Sequence, residues 1–181
     1  MHKRNWICIL LTKRKMFPFK ADYTSRQKNK SKWVNTCEYI VLHHTATGYN
    51  SLNWNLKTLL GETSRQVSAH ILVDTNGDAY KLWDPKWILW HAWDSTWEGK
   101  RYLNGYSVGI EVIWPLPWFT DEQRHTILWL VQHLMAVLKI PKERVIRHKD
   151  IAPWRKTDID DSFFKEWFET WRSKLKPREY V

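Results

Sequence analysis

The segment Val67–Leu82, VSAHILVDTNGDAYKL, holds two runs of strand-forming residues around Thr75-Asn76-Gly77. Asn-Gly between such runs supplies the positive φ angles that a tight hairpin needs, so Val67–Asp74 and Asp78–Trp83 are expected to pair antiparallel. The pattern changes on either side. Upstream, Glu38–His44 (EYIVLHH) is a β-branched apolar run ending in two histidines, Thr45–Asn50 reads as a loop, and Ser51–Leu60 places Leu52, Leu56, Leu59 and Leu60 at helical spacing, with Asn50 or Ser51 as N-cap and Gly61 as terminator. Downstream, Trp87–Glu98 carries four tryptophans with no clean period and is expected to be a long functional loop, and Tyr106–Ile113 (YSVGIEVI) reads as a buried strand closed by Pro115 and Pro117.

Thr120–Lys139 is expected to be the longest helix. Ile127, Leu128, Val131, Leu134, Met135 and Leu138 share one face, and Thr120 with Gln123 makes a capping box. His125 and His133 are expected to face solvent. Arg144–Arg147 reads as a short strand, His148–Asp160 as a proline-containing loop, and Phe163, Phe164, Trp167, Phe168, Trp171 and Leu175 as one face of a last helix. Strands interleaved with helices around one hairpin imply an α/β fold: a single domain with a central mixed β-sheet flanked by α-helices.

At 181 residues, with 43% hydrophobic and 27% charged residues, the chain has material for one core; wholesale disorder, collagen and coiled coil are excluded. No stretch approaches the roughly 20 apolar residues of a membrane-spanning helix. The formal charge of +10 is unevenly spread: residues 1–36 hold ten Lys/Arg against Asp22 alone, and residues 37–181 are nearly neutral. Residues 1–36 therefore read as a basic arm, with its own folding left open, and 37–181 as the domain. Such an arm adds affinity for polyanions, anionic wall polymer among them, without specifying a nucleic acid. Trp6–Leu11 (WICILL) is shorter than the apolar region of a signal peptide, so no export signal is read, and Met16 is an alternative start. Cys8 and Cys37 form no CxxC pair, which leaves a disulfide framework and a cysteine zinc ribbon unsupported.

Few residues are suited to metal-assisted hydrolysis, which needs about three protein ligands and a nearby carboxylate. Only one of His43 and His44 can face a given site, because strand side chains alternate. His148 follows a strand, with Asp158 ten residues on in a loop that could fold back, and Lys156 close by. Glu111 lies opposite Val108, Ile110 and Val112, and an acid in such a run is costly unless paired or functional. Spacing alone leaves the ordinary readings open: a polar strand end, a paired surface acid, a helix cap. His70 and His91 are equally open between lining a site and supporting the core.

The segments IVLHHTATG (Ile40–Gly48), VSAHILVDTNGDAYKL, WHAWDS (Trp90–Ser95), SVGIEV (Ser107–Val112) and RHKDIAPWRKTDID (Arg147–Asp160), in that order, resemble the zinc-dependent N-acetylmuramoyl-L-alanine amidases. That family includes phage endolysins, anhydromuropeptide-recycling amidases and peptidoglycan recognition proteins. The resemblance runs from about Cys37 to the C-terminus. It implies one Zn2+ held by His43, His148 and Asp158, with Glu111 as catalytic acid and Lys156 steadying the transition state. Asp158 stands where the family uses Asp or Cys, and Asp is more like the bacterial and recycling members. Trp93 replaces the usual glycine of HAG and Trp154 the usual small residue after AP, which puts Trp90, Trp93 and Trp154 forward as sugar platforms. His70, His91 and Asn104 complete the expected substrate-binding set.

The function so implied is hydrolysis of the amide between N-acetylmuramic acid and L-alanine in peptidoglycan. The leading expectation is a monomeric phage- or prophage-type lytic enzyme, made in the cytoplasm and acting on the wall after release through the membrane. The alternatives are a cytoplasmic amidase recycling soluble anhydromuropeptides and a non-catalytic peptidoglycan receptor. All three ligand positions are filled, which counts against the receptor.

Overall fold

Two seven-residue strands, β3 (Tyr39–Thr45) and β9 (Ser107–Ile113), run parallel at the centre of a six-stranded sheet. The computed structural model describes residues 18–45, 51–114, 119–159 and 164. Beside β9 lies β4 (Ile71–Val73), then β5 (Ala79–Lys81) and β1 (Ala21–Asp22); beside β3 lies β10 (Val145–Arg147). Strands β4, β9, β3 and β10 are mutually parallel, and β5 is antiparallel to β4. The sheet is mixed, as the sequence implies.

The expected hairpin forms. Asp74 Oδ1 accepts from the backbone N–H groups of Asn76 and Asp78, and Gly77 takes φ +79°. A Cβ at Gly77 would stand 2.7 Å from Glu122, so the turn also needs glycine to lie against the start of helix α2 (Asp121–Leu138). That helix has the expected capping box on Thr120. Its Ile127, Leu130, Val131 and Leu134 cover Ile40, Leu42, Val108, Ile110 and Val112 on one face of the sheet. Each such fully buried aliphatic side chain contributes roughly 1.5–3 kcal/mol. On the opposite face, helix α1 (Leu52–Leu59), capped by Ser51, packs Leu56, Leu59 and Leu60 on Leu72 and Ile113. Tyr39 and Val41, beside α1's patch, pack with Ile146 and Ile151.

Four expectations are corrected. Residues 18–36 are not an appendage: β1 joins the main sheet, and β2 (Lys30–Val34) pairs antiparallel with β6 (Trp87–Leu89). Charge marks where side chains point, not whether backbone pairs. Lys20 meets Asp78 at 3.3 Å and Arg26 meets Glu62 at 3.0 Å, while their segments hydrogen-bond to the body. Trp87–Glu98 is not one long loop, since it contains β6 and β7 (Thr96–Trp97), the latter paired with β8 (Lys100–Arg101). His148–Asp160 opens with a helical turn, α3 (His148–Ile151), because Asp150 reaches back to the Arg147 N–H at 2.9 Å. His133 is half-buried, whereas His125 is exposed as expected.

Cys37 is buried, its Sγ 3.1 Å from the Pro85 carbonyl oxygen. The expectations for residues 1–17 (Cys8 included), 46–50, Pro115, Pro117 and the final helix lie outside the described residues, apart from Phe164. Its buried ring packs in the α2 core with the Arg147 guanidinium 4.5 Å from its centroid. No helix among the described residues is long and apolar enough to cross a membrane.

Candidate metal centre

The parallel strands deliver their polar ends to one edge of the sheet. His43 and Glu111 are register partners near the ends of β3 and β9, on the face away from α2. His44 points the other way, its ring 4.3 Å from Trp114, as strand alternation requires. His148 begins α3 just past the end of β10. The chain then folds back, with the Lys149 N–H donating to the Asp158 carbonyl at 2.6 Å and Lys156 N–H to Ala152 at 3.0 Å.

This brings three ligand atoms together. His43 Nδ1 and His148 Nδ1 are 2.8 Å apart, His148 Nδ1 and Asp158 Oδ2 3.1 Å, and His43 Nδ1 and Asp158 Oδ2 3.7 Å. All three residues are buried. A tetrahedral ion with ligands at about 2.0–2.2 Å spaces them roughly 3.3–3.6 Å apart, so a small cation fits this triangle with little adjustment. Two imidazole nitrogens and a carboxylate are a donor set suited to zinc. No other group of three potential ligands stands out among the described residues.

The charge states agree. Burial pushes His43 well below its ordinary pKa, and the neighbouring His148, His91 and Lys156 push the same way, so the ring is neutral and can lend a lone pair. Burial also lowers His148, against the opposing effect of Asp158. Burial alone would raise Asp158, but the hydrogen bond and charge of His148, with Lys156, hold it below the usual carboxylate value. Glu111 goes the other way: burial, then the charge of Asp158, pushes it up to about 8 despite Lys156. Its Oε2 is shielded from solvent and has no hydrogen-bond partner among the described residues. A half-buried acid with a shielded, unused oxygen beside a ligand cluster is the arrangement expected of a proton-transfer group.

The expected substrate-binding residues divide. Trp93 and Trp154 are 67% and 55% exposed. Trp93 stacks on Tyr102 at 5.0 Å, and Trp154 Nε1 donates to Asp94 Oδ2 at 3.3 Å. Trp90 is half-buried, its backbone tied to Ser68. His70, His91 and Asn104, expected among the substrate-binding residues, are buried, as the candidate ligands themselves are. His70 Nε2–H donates to the Trp87 carbonyl and its Nδ1 accepts from the Gly109 N–H, both at 3.0 Å, so neither nitrogen is left for a ligand. Asn104 Oδ1 accepts from the N–H groups of His91 and Ala92. Gly109, overlooked in the sequence, seats the His91 ring: a Cβ there would come within 2.5 Å of it. A glycine inside a buried strand is the signal that marks such an approach.

A family model described as N-acetylmuramoyl-L-alanine amidase matches residues 33–161, which span the whole ligand cluster, Glu111 and Lys156. The chain belongs to this amidase family. A curated family relative, the N-acetylmuramoyl-L-alanine amidase AmiD of Escherichia coli (strain K12), is 34% identical over 137 residues, covering 66% of this chain and 47% of AmiD. The 1,6-anhydro-N-acetylmuramyl-L-alanine amidase AmpD of Haemophilus influenzae is 34% identical over 113 residues, covering 61% of this chain and 60% of AmpD. The chain thus spans about half the length of these curated relatives. The solved complex of the E. coli amidase AmiD with the substrate anhydro-N-acetylmuramic acid-L-Ala-D-gamma-Glu-L-Lys superposes with a TM-score of 0.63 at 29% identity, covering 77% of this chain and 59% of that one.

Proposed function

We propose that this chain is a zinc-dependent amidase that hydrolyses the bond between the lactyl group of N-acetylmuramic acid and the L-alanine of the stem peptide. The observation that carries the reading is the buried triangle of His43, His148 and Asp158 with Glu111 beside it. His43, His148 and Asp158 would hold one Zn2+, which when bound supplies Lewis acidity toward the amide carbonyl and lowers the pKa of a water toward about 7. Glu111 in its carboxylate form, which the charge of a bound cation would favour, takes the proton of the attacking water on Oε2 and passes it to the leaving amine. Lys156, whose charge is felt by Glu111, His148 and Asp158, stabilises the negative charge that develops on the carbonyl oxygen. Trp93 and Trp154 offer flat apolar faces at the rim to saccharide C–H groups.

The identity with AmpD and AmiD, together with Asp158 as third ligand, supports soluble anhydromuropeptide as the substrate. A lytic action on intact wall is the second reading, favoured by the basic residues 1–36 as a hold on anionic polymer, although Lys20 and Arg26 are already engaged in ion pairs. Incubating the protein with anhydromuropeptide and, separately, with purified peptidoglycan, each with and without a zinc chelator, tests both by mass spectrometry. Chelator-sensitive release of peptides with a free L-alanine amino end is expected from the soluble substrate. Release from wall alone would favour the lytic reading, and release from neither would remove the amidase assignment.

A further inference from the structure

His91 adjoins the candidate ligand His43, and its surroundings are built to hold it. Its N–H and that of Ala92 donate to Asn104 Oδ1 at 3.0 and 2.6 Å, which pins the backbone. Its ring lies against the Cα of Gly109, where any side chain would come within 2.5–2.8 Å of Cγ, Nδ1 and Cδ2. Its Nδ1 is 3.0 Å from His43 Nε2, with the two rings edge-on at 87°.

A neutral imidazole carries one N–H. For His43 Nδ1 to offer a lone pair to a cation shared with His148 and Asp158, the proton must sit on Nε2, and a buried N–H needs an acceptor. His91 Nδ1, 3.0 Å away, is the atom placed to accept it, and the proton of His91 then sits on Nε2, where the ring interacts with the Ser107 backbone. The reverse bond, with His91 Nδ1–H donating to His43 Nε2, would leave the His43 proton on Nδ1 and close that ligand position. We infer that His91 is a positioning residue: it accepts the His43 Nε2–H and thereby fixes the tautomer and ring plane that aim His43 Nδ1 at the metal, with Asn104 and Gly109 holding His91 in place. This inference rests on the metal reading given above.

The test compares zinc affinity, by chelator competition at fixed pH, for the wild type, His91→Phe and His91→Asn, alongside the melting temperature of each protein without metal. Phenylalanine keeps the ring but removes the acceptor; asparagine places Oδ1 near the position of Nδ1. His91→Phe is expected to weaken zinc binding by about 10–100-fold, with much of the loss recovered in His91→Asn. Equal affinity in His91→Phe and wild type would overturn the inference and leave the metal site standing. Equal losses in both variants, matched by equal falls in metal-free melting temperature, would reduce His91 to a core residue. A wild type that binds no zinc would instead overturn the metal reading itself. If His91→Phe does not fold, long-range 1H–15N NMR of the zinc-loaded wild type decides: a proton on His43 Nε2 and none on His91 Nδ1 supports the inference, and the opposite pattern refutes it.

Discussion

The floor and the rim of the candidate site are built by different physics. On the floor, His43 and Glu111 are fixed by the register of β3 and β9, and His43, His91, Asn104 and Gly109 are linked by buried hydrogen bonds or close packing. At the proposed rim, Trp93, Tyr102, Trp154 and Asp94 are exposed and held by a tilted stack, the Trp154–Asp94 hydrogen bond and bonds from Arg155 to the Asp94 carbonyl. Moving a floor group leaves a buried polar atom unpaired, whereas moving a rim group costs little. On the proposed reading, chemistry is thus tied to the fold, and recognition is free to vary.

The sharpest way to break that division is Glu111→Gln. Amide hydrolysis is expected to fall by about 10²–10⁴-fold while zinc is retained, as read by single-turnover peptide release and metal analysis. Activity near wild type would move proton transfer to another group.

His70 tests the floor as structure. Burial pushes its pKa down to about 4 from the ordinary 6.5. Between those values the unfolded chain binds a proton that the folded chain refuses, so stability falls as pH is lowered from about 6.5 to 4 and is unaffected by this group above 6.5. The contribution is on the order of 3 kcal/mol. His70→Gln keeps a donor and an acceptor, so denaturant titrations in the presence of chelator should show a flatter pH dependence than wild type. An unchanged slope would assign the effect to other buried groups.

Rim substitutions should act on binding. Trp93→Ala and Trp154→Ala are each expected to raise KM for muropeptide by about 2–10-fold at nearly constant kcat, the size of an aromatic contact. A fall in kcat alone would place those rings with the chemistry. Smallest is Asp94→Ala, for which thermal melting should report a loss under about 1 kcal/mol, since its partners Trp154 and Arg155 are solvent-exposed.

Local signals carry far in this chain. Asn76-Gly77, the Thr120–Gln123 box and the period of α2 mark elements whose stabilising interactions are short-range in sequence, and strand alternation separates His43 from His44. Motif order placed His43, His148 and Asp158 in one set. The residues read as substrate contacts were legible only by type: a histidine on a strand looks the same whether its nitrogens meet ligand or backbone. His70, His91 and Asn104 turned inward because Gly109, the Trp87 carbonyl and the 91–92 backbone lie there.

The sequence by itself determined the α/β class, the hairpin and the long helix, because periodicity, capping and turn chemistry are local properties; His43, His148 and Asp158 were put in one set only by the resemblance of their motifs to a family. Tertiary structure alone decided that residues 18–36 join the body, that the loop after His148 returns Asp158 to within 3.1 Å of it, and that His91 backs His43. Those outcomes depend on backbone pairing and on hydrogen bonds between residues 10–105 positions apart, which no local pattern encodes.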